Sequence, residues 1–371
     1  MTSQIENILN EFNIGGNLIN IQTFTSGHIN STFCLDVEDC GKTKQFILQR
    51  INHNVFKNPD KVMENISNVT NHIKQTIRAN GGHSTRRVLR FYPASSGKYY
   101  YEDENGDYWR IYKYVNNSIT FDSTDSLTVL EETGKAFGEF QLLLDNFPSK
   151  SLHIIIPHFH NTVNRYEIFD KIVDEDSVNR VQYVQDEICE FQLLKSLATK
   201  MYKMQKNGEL NLRVTHNDTK CNNVLFDADT HKHLCVIDLD TVMPGLVGFD
   251  FGDAIRFAAN TCSEDETDLS KVKIDLNKFE AFTKGFLSEV GSRLTSKELE
   301  TLSLGAITMS IECGLRFLTD YLDGDNYFKI SYPEHNLDRA RCQLALAQDM
   351  VKNYYQMQQI VEKCIKEYNI N

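Results

Sequence analysis

The stretch VTHNDTKCNNVLFDADTHKHLCVIDLDTVMPGLVGFDFGD, residues 214–253, decides the fold of this chain. Two short apolar runs lie at its centre, VLF at 224–226 and LCVID at 234–238, and turn-forming residues join them. Runs joined in this way predict a β-hairpin. Acids and amides flank this hairpin on both sides: Asp218, Asn222 and Asn223 precede it, and Asp238 and Asp240 follow it.

These flanking residues have the spacing that phosphoryl transfer requires. His216, Asp218 and Asn223 follow the pattern H-x-D-x4-N, in which the Asp orients and deprotonates an acceptor hydroxyl and the Asn holds a metal ion. Asp238 is placed as the second Mg²⁺ ligand, and Asp240, expected on the same strand face, is the less favoured one. We expect His216 to support the loop. The alternative is a polar hairpin whose Asp and Asn residues only cap turns.

The motifs HNDTKCNNVLF, VIDLDTVMPG and DFGDAIR resemble the aminoglycoside phosphotransferase and choline kinase superfamily, whose fold is like that of protein kinases. Blocks at 46–66, 155–166 and 312–328 resemble, more narrowly, the N-acetylhexosamine 1-kinases. The resemblance implies an α+β, two-lobed, protein-kinase-like fold. A small antiparallel-sheet lobe with one helix would bind the nucleotide within residues 1–115. A larger, mostly helical lobe, 116–371, would carry the catalytic hairpin and the acceptor site.

Composition sets the class of protein. The 371 residues are 41% hydrophobic and 24% charged, as in an ordinary soluble globular protein. A net charge of −12 argues against nucleic-acid and anionic-membrane partners, which require a basic surface. Nine dispersed cysteines without a CxxC pair indicate reduced thiols. We therefore expect a cytoplasmic protein with small-molecule partners, a sugar and a nucleotide, that is a monomer or a weak homodimer.

The N-terminal strands are the predicted nucleotide-binding region. Residues 21–37 indicate a strand, a turn at Ser26 and Gly27, and a second strand; the backbone N–H groups of the turn would cover phosphates. By resemblance, the end of the last strand would contact adenine. The predicted adenine contacts are Tyr112, Tyr114 and Val115.

The third strand, over 43–51, departs from the pattern of the resemblance, because no Lys occupies the phosphate-binding position. It ends at Gln49 and Arg50, which alternation places on opposite faces. Arg50 is favoured on its charge, although Gln49 remains an alternative. Glu64, about two turns into the following helix, is the candidate partner for the basic residue, or else a solvated helical Glu.

The rest of the chain reads as helical: we expect one helix to start near Asp250 or Asp253 and a final helix to run over roughly 336–367. Gly134 and Gly138, four residues apart, predict the close approach of another helix. Asp250, near a helix start, is expected to brace the catalytic loop. Arg316 and Tyr327 carry donors suited to a sugar hydroxyl or an amide carbonyl. The alternative for Arg316 is an ion pair with Glu312, one turn earlier.

The mechanism that the resemblance implies uses ATP and Mg²⁺. Asn223 and Asp238 would hold the metal ion, and Asp218 would take the proton of the C1 hydroxyl of GlcNAc or GalNAc. Two other functions stay open. One is a kinase for choline, ethanolamine or an aminoglycoside, and the other is a nucleotide-binding regulator without catalysis, which only the missing strand Lys supports.

Overall fold

The computed structural model describes residues 2–24 and 30–370, so the predicted phosphate-covering turn at Ser26 and Gly27 lies outside the described residues. The contacts divide the chain into two compact units. The sequence predicts a single boundary, between residues 115 and 116, whereas each unit of the structure consists of three separate segments of the chain. Most of the central hairpin belongs to the same unit as the N-terminal sheet. The sheet unit is Met1–Ile119, Asn146–Pro157 and Leu225–Met243; the helical unit is Thr120–Asp145, His158–Val224 and Pro244–Asn371.

An antiparallel sheet forms the centre of the sheet unit. Its strands are β1 (Asn17–Phe24), β2 (Ser31–Asp39), β3 (Lys42–Ile51), β4 (Phe91–Tyr92), β5 (Tyr101–Glu102) and β6 (Tyr108–Lys113). The order is β1-β2-β3-β6-β4, and β5 also pairs with β6. The chain crosses from β3 to the later strands through helix α2 (Pro59–Ala79).

Alternation along β2 explains how the sheet buries one face. Phe33, Leu35 and Val37 pack in one cluster with Ile5 and Ile8 of helix α1 (Thr2–Asn10). Alternate side chains of a strand point to the same face, which is why a period of two buries this set together. Helix α2 buries a stripe of apolar side chains that recur with the helical period: Val62, Ile66, Val69 and Ile73.

The helical unit contains ten α-helices among its described residues. They are α3 (Leu127–Leu143), α4 (Thr162–Glu175), α5 (Gln185–Ala198), α6 (Lys200–Lys206), α7 (Val247–Ala258), α8 (Leu276–Val290), α9 (Ser296–Glu300), α10 (Leu302–Leu322), α11 (His335–Lys352) and α12 (Tyr354–Glu367). A single helix over 336–367 was predicted, but the structure ends α11 before Asn353 and begins α12 after it. Throughout 2–24 and 30–370, we find no helix with the length and apolarity needed to cross a bilayer.

Helices α3 and α8 meet at glycines. A Cβ atom on Gly134 would overlap the carbonyl of Phe282, and one on Gly138 would lie 2.6 Å from the carbonyl oxygen of Phe286. Real Cβ contacts do not come this close, so only glycine lets the two backbones touch. The close helix approach predicted from the four-residue glycine spacing is therefore confirmed.

The central stretch contains the predicted hairpin, which is confirmed as β9 (Val224–Asp227) and β10 (His233–Val236). In this small sheet β9 also pairs with β7 (Ser118–Ile119). The short strands β8 (Arg213–Thr215) and β11 (Met243–Gly245) lie before and after the hairpin along the chain. The polar loop 216–223 leads from β8 into β9.

Candidate active site

The carboxylate of Asp250 holds the loop 216–223 in place through hydrogen bonds to its backbone. The backbone N–H groups of His216 and Asn217 donate to its two oxygens, each at 2.8 Å, and the Gln141 side-chain amide donates to it at 2.8 Å. Burial raises the pKa of Asp250, although these donors and the nearby His216 oppose the rise. Asp250 lies in the first turn of α7, which begins at Val247, so the helix start expected near Asp250 or Asp253 was placed too late.

His216 supports the loop by packing. Its side chain is fully buried and meets the rings of Phe137 and Phe140 edge-on, with centroids 5.6 and 5.9 Å away. Its Nδ1 accepts a hydrogen bond from the backbone N–H of Asp218 at 3.3 Å. A ring in these surroundings fixes the course of the chain into Asp218, and it has no exposed edge from which to act as a base.

Asp218 is the half-exposed member of this otherwise buried turn, with 28% of its side chain accessible, whereas Asn217 and Thr219 are buried. The Asn223 amide nitrogen donates to the backbone carbonyl of Asp218 at 2.9 Å and to its Oδ2 at 3.0 Å. Lys220 Nζ lies 3.1 Å from Oδ1. The loop therefore presents one oriented carboxylate beside one cation.

Lys220 and Asp253 were not identified from the sequence as site residues. Burial would lower the pKa of Lys220, but Asp218 and Asp253 outweigh it and raise the pKa, so the ammonium stays charged. Burial likewise opposes the ionised form of Asp253, and the cations Arg256 and Lys220 nevertheless lower its pKa. Asp253 also accepts the Thr219 N–H at 3.0 Å. The motif HNDTK, with a Lys two residues after the Asp, was the available signal for Lys220.

In the sheet unit, Asp238 and Asp240 have different environments. Asp238 follows β10, is exposed, and has a left-handed backbone conformation with φ of +58°. Asp240 lies in a short 3₁₀ turn, is buried, and pairs with Arg110. The expectation that the two acids share a strand face is therefore wrong, because the strand ends at Val236 and the chain turns between them.

Arg110 is the buried cation of the sheet unit, and sequence reasoning missed it. Its guanidinium contacts both carboxylate oxygens of Asp240, with Nη2 3.0 Å from Oδ2, and both side chains are 2–3% exposed. Burial alone would lower the pKa of Arg110, but Asp240 raises it. Gln49 faces Arg110 across the β3–β6 pair and accepts its Nε–H at 3.0 Å.

The predicted pairing of Arg50 with Glu64 is wrong. Arg50 projects from the opposite face of β3 to Gln49 and donates to Asp107 at 3.1 Å, with 45% of its side chain exposed. Glu64 lies 2.9 Å from His153 Nε2. Strand alternation separates Gln49 from Arg50, and the face that carries Gln49 is the one with the buried Arg110. Contact of Arg50 or Glu64 with ATP stays a prediction.

The family model described as a phosphotransferase enzyme family matches residues 20–272, more than half of the chain. The chain belongs to this family. This phosphotransferase is similar to a microcompartment-associated aminopropanol kinase. The match covers 97% of the phosphotransferase and 99% of the aminopropanol kinase, with 15% identity and a TM-score of 0.63. An aminoglycoside phosphotransferase from Alicyclobacillus acidocaldarius matches over 96% of both chains, with 11% identity and a TM-score of 0.62.

A spectinomycin phosphotransferase, solved with ADP and spectinomycin, also matches the phosphotransferase, over 98% of both chains with 12% identity and a TM-score of 0.52. At these identities the likenesses concern the fold. They confirm the predicted protein-kinase-like fold, with an antiparallel N-terminal sheet and a helical C-terminal region.

Backbone groups of the phosphotransferase near the end of β6 are partly engaged already. The N–H of Tyr114 donates to Gln45 at 3.1 Å, and the carbonyl of Val115 accepts the hydroxyl of Ser118 at 2.6 Å. Burial raises the pKa of the Tyr112 hydroxyl. The predicted adenine contacts at Tyr112, Tyr114 and Val115 stay a prediction, and the Tyr114 N–H is not available for them.

Arg316 of the helical unit lies among aromatic rings. Its guanidinium carbon is 5.2 Å from the ring centroid of Phe328, 5.9 Å from that of Tyr327 and 6.0 Å from that of Phe159. Asp320, one turn later on α10, accepts the backbone N–H groups of Tyr327 and Phe328 at 2.7 and 2.9 Å. The 323–328 segment is thereby fixed beside Arg316.

The alternative role for Arg316, an ion pair with Glu312, is wrong. Glu312 lies 2.9 Å from Nδ1 of His160, and both side chains are largely buried. Burial would raise the pKa of Glu312, but His160 and the arginines nearby lower it. Only one carboxylate oxygen is engaged in this way: Oε2 is buried and has no hydrogen-bond partner. A buried carboxylate oxygen without a partner suits a ligand hydroxyl or amide.

The predicted magnesium ligands fit a hard cation in chemistry. The Asn223 amide nitrogen is used by Asp218, which leaves its carbonyl oxygen as the donor for a metal ion. Asp238 offers an exposed carboxylate. Within the described ranges, no group of three or more His, Cys, Asp or Glu side chains is arranged to hold a metal ion. Mg²⁺ does not need such a cage, because it takes one or two protein oxygens together with water and phosphates.

Proposed function

We propose that this phosphotransferase transfers the γ-phosphoryl group of ATP to a hydroxyl group of a small molecule. We further propose that the acceptor is the anomeric C1 hydroxyl of an N-acetylhexosamine, GlcNAc or GalNAc, and that the product is the sugar 1-phosphate. The observation that carries the reaction class is the half-exposed Asp218 carboxylate, oriented by Asn223 and Lys220 on a buried, braced loop.

Asp218 would act on the acceptor hydroxyl. It accepts a hydrogen bond from the hydroxyl and takes its proton as the oxygen bonds to the γ-phosphorus and the bond to the ADP oxygen breaks. An anomeric hydroxyl is more acidic than an ordinary alcohol, so a carboxylate is a sufficient base. Lys220, charged beside Asp218, would offset part of the negative charge on the phosphoryl oxygens.

Asn223 and Asp238 would hold Mg²⁺, which when bound neutralises phosphate charge. The protein's own part is positioning. The Asp250 carboxylate and the buried His216 ring fix the loop before any substrate binds. Little conformational entropy is therefore lost when Asp218 is positioned for the reaction.

The surroundings of Arg316 support a neutral, hydroxyl-bearing acceptor. Aromatic rings and a guanidinium lie together there, and the unpartnered Oε2 of Glu312 can accept from a ligand hydroxyl or amide N–H. Arg165 lies close enough to Arg316 for the two cations to repel each other. A cationic acceptor such as choline would add a third positive charge, which disfavours it at this place.

A second candidate is a kinase for an amino alcohol or an aminoglycoside. The observation in its favour is a pocket of about 490 Å³ in the helical unit, next to Lys220, whose lining includes Phe257 and the acids Asp122, Asp125 and Glu264. However, Asp125 lies 2.6 Å from Lys278, and Glu264 lies 2.7 Å from Arg256. Two of the three acids are therefore neutralised, which weakens the case for a cationic acceptor.

Coupled ADP release with a panel of sugars and amines tests the proposal. GlcNAc or GalNAc should be turned over fastest, and ³¹P NMR of the product should show an anomeric phosphate. Arg316→Ala should raise the KM for the sugar about tenfold or more, the effect of losing a charge-assisted hydrogen bond. Arg293→Ala, which removes a 59% exposed arginine of the same unit, is the control. Faster turnover of choline or ethanolamine would replace the sugar with the second candidate, and no turnover with any acceptor would favour the regulator.

A further inference from the structure

The sheet unit contains a pocket of about 480 Å³, and Arg50, the described residue predicted to bind the phosphates, does not line it. It is bordered by the C-terminal half of α2, the segment 84–93 and the segment 113–116. Its volume is in the range of small-molecule sites. Of the described residues predicted to contact the nucleotide, Tyr114 and Val115 line it, whereas Arg50, Glu64 and Tyr112 do not.

The lining of this pocket is strongly basic. Among the residues that the structure describes, no Asp or Glu borders it, and five cations do: Lys74, Arg78, Arg86, Arg90 and Lys113. The whole chain has a net charge of −12, so the concentration of positive charge here runs against its average. A cluster of one sign of charge in a concave surface focuses its field and attracts the opposite charge.

Most of these cations lack an acid partner. Arg86 pairs with Asp227 at 2.8 Å. Among the described residues, Lys74, Arg78, Arg90 and Lys113 form no ion pair. Lys74 and Arg78 are one turn apart on α2, where like charges weaken a helix. The partial negative charge at the C-terminus of α2 stabilises the Arg78 cation. Arg90 and Lys113 lie outside this helix and do not receive that stabilisation.

The pocket also has an apolar floor. Leu89 and Val115 belong to a buried cluster beneath. The Arg90 guanidinium lies 5.0 Å from the ring centroid of Tyr92. Several cations above an apolar floor suit phosphate groups carried on a small organic body.

We propose that this basic pocket is a second ligand site, separate from the catalytic phosphate site, for a small molecule that carries two or more phosphate charges. Lys74, Arg78, Arg90 and Lys113 contact the phosphates. The organic part packs against Leu89 and Tyr92. A ligand here touches the segment 113–116, whose Lys113 N–H donates to the Arg90 carbonyl at 2.9 Å.

Isothermal titration of the full chain with inorganic pyrophosphate tests the site. Magnesium-free buffer is used so that the metal-dependent site does not contribute, and the titration is repeated with saturating ADP. One pyrophosphate should bind per chain with or without ADP. Raising the salt from about 50 to about 200 mM should weaken binding severalfold, because ionic contacts are screened.

Paired variants localise the binding. The double variant Lys74→Gln, Arg90→Gln should weaken pyrophosphate binding about tenfold or more, since two charged contacts are lost. Lys42→Gln, Lys61→Gln removes the same charge from exposed positions of the sheet unit outside the pocket and should bind like the wild type. Absence of binding at low salt, equal loss in both double variants, or displacement of pyrophosphate by ADP would each overturn a separate second site. Activity does not enter these readouts, so the proposed sugar kinase reaction can fail independently.

Discussion

Removing one member of the buried ion pair between Arg110 and Asp240 should strongly destabilise the sheet unit. Arg110→Met removes the cation and leaves Asp240, 3% exposed, without its main partner. Removal of one member of a buried pair costs about 3–5 kcal/mol, because the remaining charge is desolvated and unpaired. That is a large fraction of the about 5–15 kcal/mol by which a domain is stable. Urea denaturation, followed by circular dichroism, measures the loss.

A double-mutant cycle separates the pair from its surroundings. Asp240→Val alone should also destabilise the protein, because Arg110 is then buried without a counter-ion. The combined Arg110→Met, Asp240→Val variant should be more stable than the sum of the single losses predicts, by about 1–3 kcal/mol. The partners left behind, Gln49 and Asn30, are half-buried and can bind water instead. A loss under about 1 kcal/mol for Arg110→Met, or additive losses in the cycle, would refute this reasoning.

Three further outcomes follow from the site. Asp218→Asn should leave nucleotide binding near that of the wild type and reduce kcat by about 10²–10⁴, as loss of a general base does, measured by coupled ADP release. Asp238→Ala should weaken Mg–ATP binding in calorimetry, because a metal ligand is lost. The hydrogen bond from Arg86 is the largest of the contacts that lower the pKa of Asp227 from 3.8 to about 2, and hydrogen bonds within its own turn add to the effect. The stability that depends on the ionised Asp227 carboxylate is therefore present above pH 3.8 and is lost as the pH falls towards 2. Asp227→Asn should flatten the fall in melting temperature across that range.

The first of these outcomes has a matched control, and each of the three has a result that would contradict it. Asp229→Asn makes the same chemical change as Asp218→Asn at an exposed turn of the hairpin and should leave kcat unaltered. Near-normal turnover in Asp218→Asn would show that another group is the base. Unchanged nucleotide affinity in Asp238→Ala would remove its metal role. A melting curve for Asp227→Asn that falls with pH as steeply as the wild type would mean that the Arg86 contact does not hold the pKa down.

Local patterns were sufficient for much of the fold. The hairpin 224–236 follows from two apolar runs with a polar turn, and the stripe of α2 follows from helical periodicity, because both depend on neighbours in the chain. Gly134 and Gly138 predicted a close helix contact, because the absence of a Cβ lets another backbone approach whichever helix it belongs to. The spacing of Asp218 and Asn223 is likewise local, and one side-chain contact joins them.

Partners distant in sequence were decided only by the tertiary structure. Arg110 and Asp240 are 130 residues apart, and nothing near either one signals the pair. Strand alternation separated Gln49 from Arg50, but the β3–β6 register determines that Gln49 meets Arg110 and that Arg50 meets Asp107. The sequence by itself thus determined the elements, their faces and the spacing of the catalytic loop. Folding decided which charges neutralise one another, because a buried charge must find a partner wherever the chain brings one within reach.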